Sequence, residues 1–274
     1  MRQISVLGCG WLGLPLAKAL IQQEFIVKGS TTTAEKLPNL ALAGIKPYLI
    51  ELESDQLSHN MGEFLKDSET LIIAIPPKLR GKNKDYSDAN ANSFVKKISL
   101  LLPEIENSSI KNLLFVSSTA IYGDISTVVY ETTIPQPVTE SGKQLLEIEN
   151  ILQSQTAFQS TILRFGGLIG PDRNPARFMA GKEDISNPDA AVNLIDLQDC
   201  INIILRIIAT NTWGENFNAA APYHPTREQY YIAKAIEQNL VPPIFDHNSP
   251  SEGKTINSDK LIKILDYTFT NTTL

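Results

Sequence analysis

The sequence predicts a doubly wound α/β fold, in which helices cover both faces of a parallel sheet. Apolar runs without polar alternation recur along the chain, as strands buried on both faces require. Helical patterns separate these runs, so strand and helix alternate with right-handed crossovers. The predicted strands begin at residue 3 and continue with 25–29, 45–52, 70–77, 111–116 and 160–165. The predicted helices between them follow the first strand directly and then cover about 34–43, 60–66, 86–102 and 139–155.

The first strand runs into a glycine turn that opens a helix. Gly8 allows the chain to turn, Gly10 leaves room for a pyrophosphate, and Gly13 permits close packing of helix on strand. The unpaired N–H groups at the start of such a helix attract phosphate. We therefore predict a dinucleotide site here, with Trp11 either shielding the phosphates or packing on the sheet edge. The predicted cradle residues are Gly8, Gly10, Trp11, Leu12 and Gly13.

The end of the second strand bears on the choice between NAD and NADP. An NAD site usually places an acidic residue about 20 residues after the glycines, on the ribose 2′-hydroxyl. The corresponding segment here is Ser30-Thr31-Thr32-Thr33, and Lys36 follows shortly after it. Small hydroxyls beside a lysine suit a 2′-phosphate better, so NADP is favoured and NAD is the alternative. One of these hydroxyls also fits the N-cap of the next helix.

Two further strand ends are predicted to border the cofactor, because ligands cross the carboxyl edge of a parallel sheet. Ile75, Pro76 and Pro77 close the run at 70–77, and Ser117 follows the run at 111–116. The two prolines equally fit a simpler role, since proline lacks the N–H that a strand needs and stops it.

Beyond Pro171 the alternation weakens. Helices are predicted at about 197–209, 226–238 and 258–265, with a short strand near 216–218. We predict a dinucleotide-binding domain over residues 1–170. Residues 171–274 are predicted to form a small mixed subdomain, a substrate lid whose returning elements pack on the first domain.

Composition narrows the partners of this chain of 274 residues. Its formal net charge of −6 supplies no diffuse positive field for nucleic acid or anionic membrane. The two cysteines and three histidines are scattered without ligand spacing, so no metal site is predicted. No apolar run approaches the roughly 20 residues that span a bilayer. The first strand starts almost at Met1 and leaves no room for a secretion signal, so we expect a cytoplasmic protein.

Two motifs carry a resemblance to a known family. One is the segment from Ser117 to Gly123, a serine-rich strand end followed by Tyr-Gly, and the other runs from Arg164 into Gly170-Pro171. Together with the glycine turn, and in this order, they resemble the extended short-chain dehydrogenase/reductase superfamily, the NAD-dependent epimerase/dehydratase group. The resemblance implies a Rossmann fold and a nicotinamide dinucleotide. It also implies that Ser118 hydrogen-bonds the substrate oxygen.

The chain departs from this family where the catalytic pair belongs. The family uses a tyrosine as general acid/base with a lysine four residues later, whose charge lowers the pKa of the phenol. Aligning on Gly142 puts Ser141 and Leu145 in the two places, whereas aligning on Lys143 puts Thr139 in the place of the tyrosine. Neither alignment contains a phenol. The glycine turn also lacks the family's usual extra small-residue gap, so the resemblance is to the atypical branch.

We therefore expect an NAD(P)-binding oxidoreductase or epimerase/dehydratase-like enzyme that acts on a small polar molecule. Ser118 is the predicted substrate donor, and Tyr122 is a candidate acid that could equally pack below the site. Lys143 would bridge ribose hydroxyls or activate water, or else it is an ordinary solvated lysine. Arg173 and Arg177 are candidates for binding an anionic substrate group. The missing tyrosine supports an alternative, a catalytically silent NADP(H)-binding redox sensor. A homodimer is the one oligomeric state that we consider for this chain.

Overall fold

The computed structural model describes residues 2–53, 58–77, 93–248 and 250–271. Its strands, numbered along the chain, are β1 (Gln3–Leu7), β2 (Ile26–Thr31), β3 (Lys46–Leu49), β4 (Thr70–Ile73), β5 (Asn112–Ser118), β6 (Val128–Val129), β7 (Gln159–Phe165), β8 (Gly167–Ile169), β9 (Leu194–Asp196), β10 (Asn216–Ala219) and β11 (Thr255–Ile256).

The helices alternate with these strands. They are α1 (Gly13–Gln22), α2 (Leu37–Leu42), α3 (Met61–Leu65), α4 (Ser93–Ser99), α5 (Leu102–Glu106), α6 (Glu140–Gln153), α7 (Ala176–Met179), α8 (Leu197–Thr210), α9 (Arg227–Glu237) and α10 (Asp259–Leu265). Single 3₁₀ turns occupy Ala34–Lys36 and Thr119–Tyr122. None of the helices in the described ranges is long and apolar enough to cross a membrane.

Seven strands form one central sheet in the order β10-β7-β5-β4-β1-β2-β3. Every neighbouring pair in it is parallel. The chain leaves β1 toward β3, returns to β4 on the other side of β1, and then proceeds outward to β10. This reversal between β1 and β4 is the switch point at which ligands bind in doubly wound sheets. The predicted fold class is confirmed.

Two apolar cores cover the two faces of the sheet. Neighbouring residues of β5 point to opposite sides, so Leu114 packs with α1 and α8 whereas Phe115 packs with α3, α4 and α6. Both side chains are completely buried. The uninterrupted apolar runs in the sequence therefore follow from burial on both faces rather than on one.

The predicted boundaries fail mainly at strand ends and after Pro171. The run at 70–77 is a strand only as far as Ile73, while β2 extends to Thr31, two residues beyond the predicted strand at 25–29. Only the part of the predicted helix at 86–102 that begins at Ser93 lies within the described residues. The sequence did not reveal α7 or the two short parallel pairs, β6 with β11 and β8 with β9.

Residues after 170 also complete the central sheet, because β10 pairs with β7 along its edge. Helix α8 packs against α1, and α10 packs against β10. The domain boundary at residue 170 stays a prediction.

Candidate functional site

The glycine turn after β1 has the geometry of an open cradle. Gly8 has a φ of +101°, which only glycine adopts readily, and a β-carbon there would strike the side chain of Ile75. A β-carbon on Gly13 would overlap the Gly8 carbonyl oxygen, so α1 packs directly on the turn. At Gly10, its neighbours Cys9 and Trp11 left aside, no atom of the described residues lies within 4 Å of the position a β-carbon would take. The space above Gly10 is therefore open.

The N-terminus of α1 faces this space without a side-chain cap. Its N-cap residue is Leu12, whose side chain offers no hydrogen-bond acceptor. Uncapped N–H groups at a helix start, together with the helix dipole, favour a bound anion. The cradle therefore fits phosphate by backbone geometry, as the glycine spacing predicted.

The end of β2 braces the turn. The Gly8 N–H donates to Ser30 Oγ at 2.8 Å, and the Cys9 N–H donates to the Ser30 carbonyl at 2.7 Å. Ser30 is buried, so its hydroxyl supports the cradle and is not presented to a 2′-phosphate. Thr31 is also buried and its Oγ1 accepts from the Thr33 N–H at 3.2 Å. Of the four residues predicted at a 2′-phosphate, the structure leaves Thr32 and Lys36 exposed.

Trp11 packs against the loop after β8. Its indole lies against Gly170, where a β-carbon would come within 3.0 Å of the ring. The guanidinium carbon of Arg173 lies 5.2 Å from the indole centroid. Of the two roles considered from the sequence, these contacts favour packing.

The segment after β4 lies next to the same turn. The Ala74 N–H continues the ladder by donating to the Leu7 carbonyl at 2.9 Å, and Ile75 then contacts Gly8. Pro76 is exposed and Pro77 is partly exposed. The prolines therefore end the strand and also stand at the carboxyl edge beside the cradle, where a wall for the cofactor was predicted.

A second cluster forms where β5 ends. Ser118 is partly exposed and caps the turn Thr119–Tyr122 by accepting the Ala120 N–H at 3.2 Å. A β-carbon on Gly142 would lie 2.8 Å from the Ala120 carbonyl oxygen, so the start of α6 presses against this turn. The structure thus brings Ser118 together with the segment from Thr139 to Lys143, where the family pair was sought.

The hydroxyl and amine of that segment have different surroundings. Thr139 is the N-cap of α6, and its Oγ1 accepts the Gly142 N–H at 3.1 Å. Lys143 is exposed on the first turn of α6. Its assignment to ribose hydroxyls or to water stays a prediction.

Beneath Ser118 lies a buried polar network that joins five elements. Arg164 of β7 donates to Glu149 of α6, with Nη2 to Oε2 at 2.7 Å and Nε to Oε2 at 3.1 Å. Ser117 Oγ donates to the other carboxylate oxygen at 2.5 Å. Arg164 Nη1 also donates to the Tyr122 hydroxyl at 2.7 Å, and that hydroxyl donates to Asn218 Oδ1 at 2.8 Å. All five side chains are buried. We call these residues the buried network.

The buried network corrects two predicted site residues. Tyr122 is 0% exposed, its pKa is raised by burial, and its hydroxyl is fully engaged, so it packs below the site and is not an available acid. Ser117 is turned toward Glu149 instead of toward a cofactor. The sequence analysis missed Glu149 as a site residue, although it interrupts the apolar face formed by Leu145, Ile148 and Leu152 of α6. A carboxylate on such a face predicts a buried cationic partner.

The segment before β11 adds a basic residue that sequence reasoning also missed. Lys254 is partly buried and its ammonium donates to the carbonyl of Gly123, which directly follows the turn Thr119–Tyr122. Burial lowers the pKa of this amine. Asn193 holds the segment, since its Nδ2 donates to the Lys254 carbonyl at 2.8 Å and its Oδ1 accepts the Ile256 N–H at 2.7 Å. No sequence signal marked Lys254, because it comes from a chain segment about 130 residues away from the turn it contacts.

The two arginines predicted for substrate are separated by the fold. Arg173 lies against Trp11 at the cradle, whereas Arg177 is exposed on α7. Within the described ranges no three His, Cys, Asp or Glu side chains are grouped to hold a metal ion.

The chain is similar in sequence to a known protein, although it matches no family model. "Protein YeeZ" of Escherichia coli (strain K12) is 33% identical over 273 residues, which are 98% of this chain and 96% of that protein. This chain belongs to the YeeZ family. This name describes no activity, so a function has to be inferred from the residues of the site.

Solved structures share the fold of this YeeZ-family chain. UDP-glucuronic acid 4-epimerase from Bacillus cereus, solved in complex with NAD, superimposes with a TM-score of 0.79 at 17% identity, covering 98% of this chain and 92% of that one. UDP-glucose 4-epimerase from Thermotoga maritima, solved with UDP-glucose, gives 0.78 at 19% identity, covering 98% and 94%. A conserved protein of unknown function from Silicibacter pomeroyi gives 0.78 at 19% identity, covering 100% and 95%. At these identities the similarity shows a shared fold, which is the fold that the resemblance stated from the sequence implies.

Proposed function

We propose that this protein is a nicotinamide-dinucleotide-dependent oxidoreductase of the epimerase/dehydratase type, acting on a small hydroxylated molecule. The observation that carries the proposal is the cradle. Gly8 makes a turn that other residues resist, Gly10 leaves its surface open, and α1 begins there without a cap. The fold neighbours solved with NAD support a nicotinamide dinucleotide as the ligand.

The exposed residues after β2 support NADP as the preferred form. Position 30, twenty residues after Gly10, is a serine and not an acid, and it is occupied with bracing the turn. Thr32 and Lys36 are exposed where a 2′-phosphate would lie, so a lysine charge is available to it. NAD is the alternative, since the braced turn itself does not discriminate between the two.

The position of Ser118, which caps the turn Thr119–Tyr122, supports a role for it in holding the reacting oxygen of the substrate. Its hydroxyl stands at the carboxyl end of β5, accepts one backbone N–H, and keeps its own proton free to donate. The bound nicotinamide would supply the hydride chemistry. Oxidation of a carbinol also releases the hydroxyl proton, which must pass to a base other than the buried Tyr122. Lys254, whose pKa burial lowers, and the exposed Lys143 are two candidate amines among the described residues.

Ligand-dependent melting tests the cofactor part of this proposal. NADP(H) is expected to raise the melting temperature more than NAD(H), because binding to the native state stabilises it by mass action. Gly10→Asp should keep the fold and abolish the shift, since its carboxylate would stand where phosphate belongs. Equal shifts would remove the preference for NADP, and no shift from either would overturn the proposal.

Turnover tests the enzymatic part. The purified protein is mixed with NADPH or NADP and a panel of carbonyl compounds and nucleotide sugars, and the nicotinamide absorbance is followed. Ser118→Ala should lower the rate at least about tenfold by removing a hydrogen bond to the reacting oxygen. Tight stoichiometric binding without turnover of any compound would instead identify a silent sensor.

A further inference from the structure

The loop after β8 delivers an arginine to the cofactor cradle. Residues 170–173 form a closed turn, in which the Gly170 N–H donates to the Arg173 carbonyl at 3.2 Å and the Arg173 N–H donates back at 3.0 Å. Gly170 itself packs against Trp11, with no room for a side chain. The backbone therefore fixes the start of the Arg173 side chain relative to the cradle.

The charge of Arg173 lies over the indole of Trp11. The guanidinium carbon is 5.2 Å from the ring centroid, within the range of a cation–π contact. Trp11 directly follows Gly10 and precedes the first residue of α1. The stack thus holds a permanent positive charge next to the residue that follows Gly10, and the Arg173 side chain is exposed to solvent.

The cradle has no positively charged side chain of its own. Residues 8–13 contain no basic side chain, and the protein as a whole carries a formal charge of −6. Backbone N–H groups at a helix start supply only partial charges. A planar guanidinium forms paired hydrogen bonds to phosphate oxygens and remains protonated at all working pH values.

We propose that Arg173, held over Trp11, binds the pyrophosphate of the dinucleotide rather than the substrate. This inference rests on the proposed function, because it requires a dinucleotide in the cradle. It names the pyrophosphate and not the 2′-phosphate, since Arg173 stands on the side of Trp11 and Gly170, whereas the 2′-phosphate would lie beyond β2 near Lys36. Arg173 and Lys36 should therefore serve different phosphates of one ligand.

The test variants are Arg173→Gln and Arg173→Lys. The matched control is Arg177→Gln, which changes an exposed arginine four residues further along the chain. Dissociation constants are measured by calorimetry for NADH, NADPH, ADP-ribose and adenosine. Arg173→Gln should weaken NADH, NADPH and ADP-ribose by about 10- to 100-fold, as expected for loss of a charge-assisted hydrogen bond. Adenosine, which has no pyrophosphate, should bind equally to all variants, and Arg177→Gln should match the wild type. Arg173→Lys should recover part of the loss.

Lys36→Gln supplies the opposite pattern, a loss for NADPH alone. Unchanged binding of NADH and ADP-ribose in Arg173→Gln would overturn the inference while leaving the proposed function intact. A loss confined to NADPH would move Arg173 to the 2′-phosphate and also overturn it. Failure of the wild type to bind any of the dinucleotides would overturn the proposed function itself.

The stack can be observed directly through tryptophan fluorescence. The sequence contains two tryptophans, Trp11 and Trp213, so Trp213→Phe leaves Trp11 as the single reporter. In that background NADH should quench the Trp11 emission, and the quenching should need about 10- to 100-fold more NADH when Arg173→Gln is added. Quenching at the same NADH concentration in both proteins would contradict a role for Arg173. Urea unfolding of each variant confirms that the fold is retained, as expected for an exposed side chain.

Discussion

The glycine cradle and the turn Thr119–Tyr122 after β5 lie on the same carboxyl edge of one sheet but are built in opposite ways. The cradle relies on backbone, with Gly8 in a positive-φ turn, Gly10 open and Gly13 pressed on the turn. The turn after β5 relies on side chains, and most of those near it point inward to the buried network. One region presents its chemistry to solvent, while the other buries it.

This difference shows in what holds each region in place. The cradle is fixed mainly by the backbone conformation of Gly8 and by the close packing of Gly13 on it. The turn Thr119–Tyr122 packs against Gly142, and the buried network of Ser117, Glu149 and Arg164 ties together the strands and the helix beside it. The segment from Thr139 to Lys143 contains no tyrosine, so this packing does not depend on a phenol there.

Removal of the buried carboxylate should give the largest effect on stability. Glu149→Gln leaves the charge of Arg164 buried without its anion, and breaking such a pair typically costs about 3–5 kcal/mol. The free energy of unfolding is measured by urea denaturation. Glu147→Gln, on the exposed side of the same helix, is the control and should change it by less than about 0.5 kcal/mol.

The double variant Glu149→Leu with Arg164→Leu sharpens this result. Replacing a whole buried pair by apolar residues is often tolerated, so the double variant should be more stable than Glu149→Gln alone. If the single and double variants lose the same stability, the network does not act as a unit.

The cradle should respond to volume instead of charge. Gly13→Ala places a methyl group against the Gly8 carbonyl oxygen, a backbone atom that cannot move aside easily, and overpacking of this kind costs about 1–3 kcal/mol. Gly10→Ala enters open space and should cost less than about 0.5 kcal/mol. Urea denaturation of the two variants compares them. A similar loss in both would show that the space above Gly10 is not open.

The predictability of the two regions follows the same contrast. Helices such as α8 and α9, and the cradle, could be predicted because local periodicity and glycine spacing determine them. The buried network could not, since Tyr122 and Asn218 meet across 96 residues of chain and neither carries a local signal. Lys254 and the pair β6 with β11 are likewise contacts between distant segments. Glycine spacing thus predicted the geometry of the turn after β1, whereas the hydroxyls of Ser117, Ser30 and Tyr122, which were predicted at the site, contact the scaffold.

Tyr122→Phe separates a structural phenol from a catalytic one. Its loss leaves Asn218 Oδ1 and one N–H of Arg164 without their buried partner, which typically costs about 1–3 kcal/mol. Binding of NADPH and any turnover should be unchanged. Tyr130→Phe, at an exposed phenol nearby, is the control and should alter neither property. Full stability together with lost turnover would return Tyr122 to the catalytic machinery.

Acidification should affect the side-chain region and give the smallest effect. His224, whose Nδ1 lies 3.2 Å from the Val192 carbonyl, is half-buried, and burial lowers the pKa of its imidazole. The unfolded chain therefore binds this proton at a higher pH than the folded chain does, with an ordinary pKa of about 6.5. Stability is fully present above that value and falls as the pH drops through it toward the folded pKa, below which the loss is constant.

His224→Gln should remove this part of the acid sensitivity. Melting temperatures are compared at pH 7.5 and 5.5 for the wild type, for His224→Gln and for the exposed control His59→Gln. The difference between the two pH values should shrink in His224→Gln and persist in the control. Neither the cradle nor a pyrophosphate contains a group that titrates in this range, so ADP-ribose, which has no 2′-phosphate, should bind equally at both pH values. Equal acid sensitivity in all three proteins would show that the pKa of the His224 imidazole is the same in the folded and the unfolded chain, and would contradict the effect of burial.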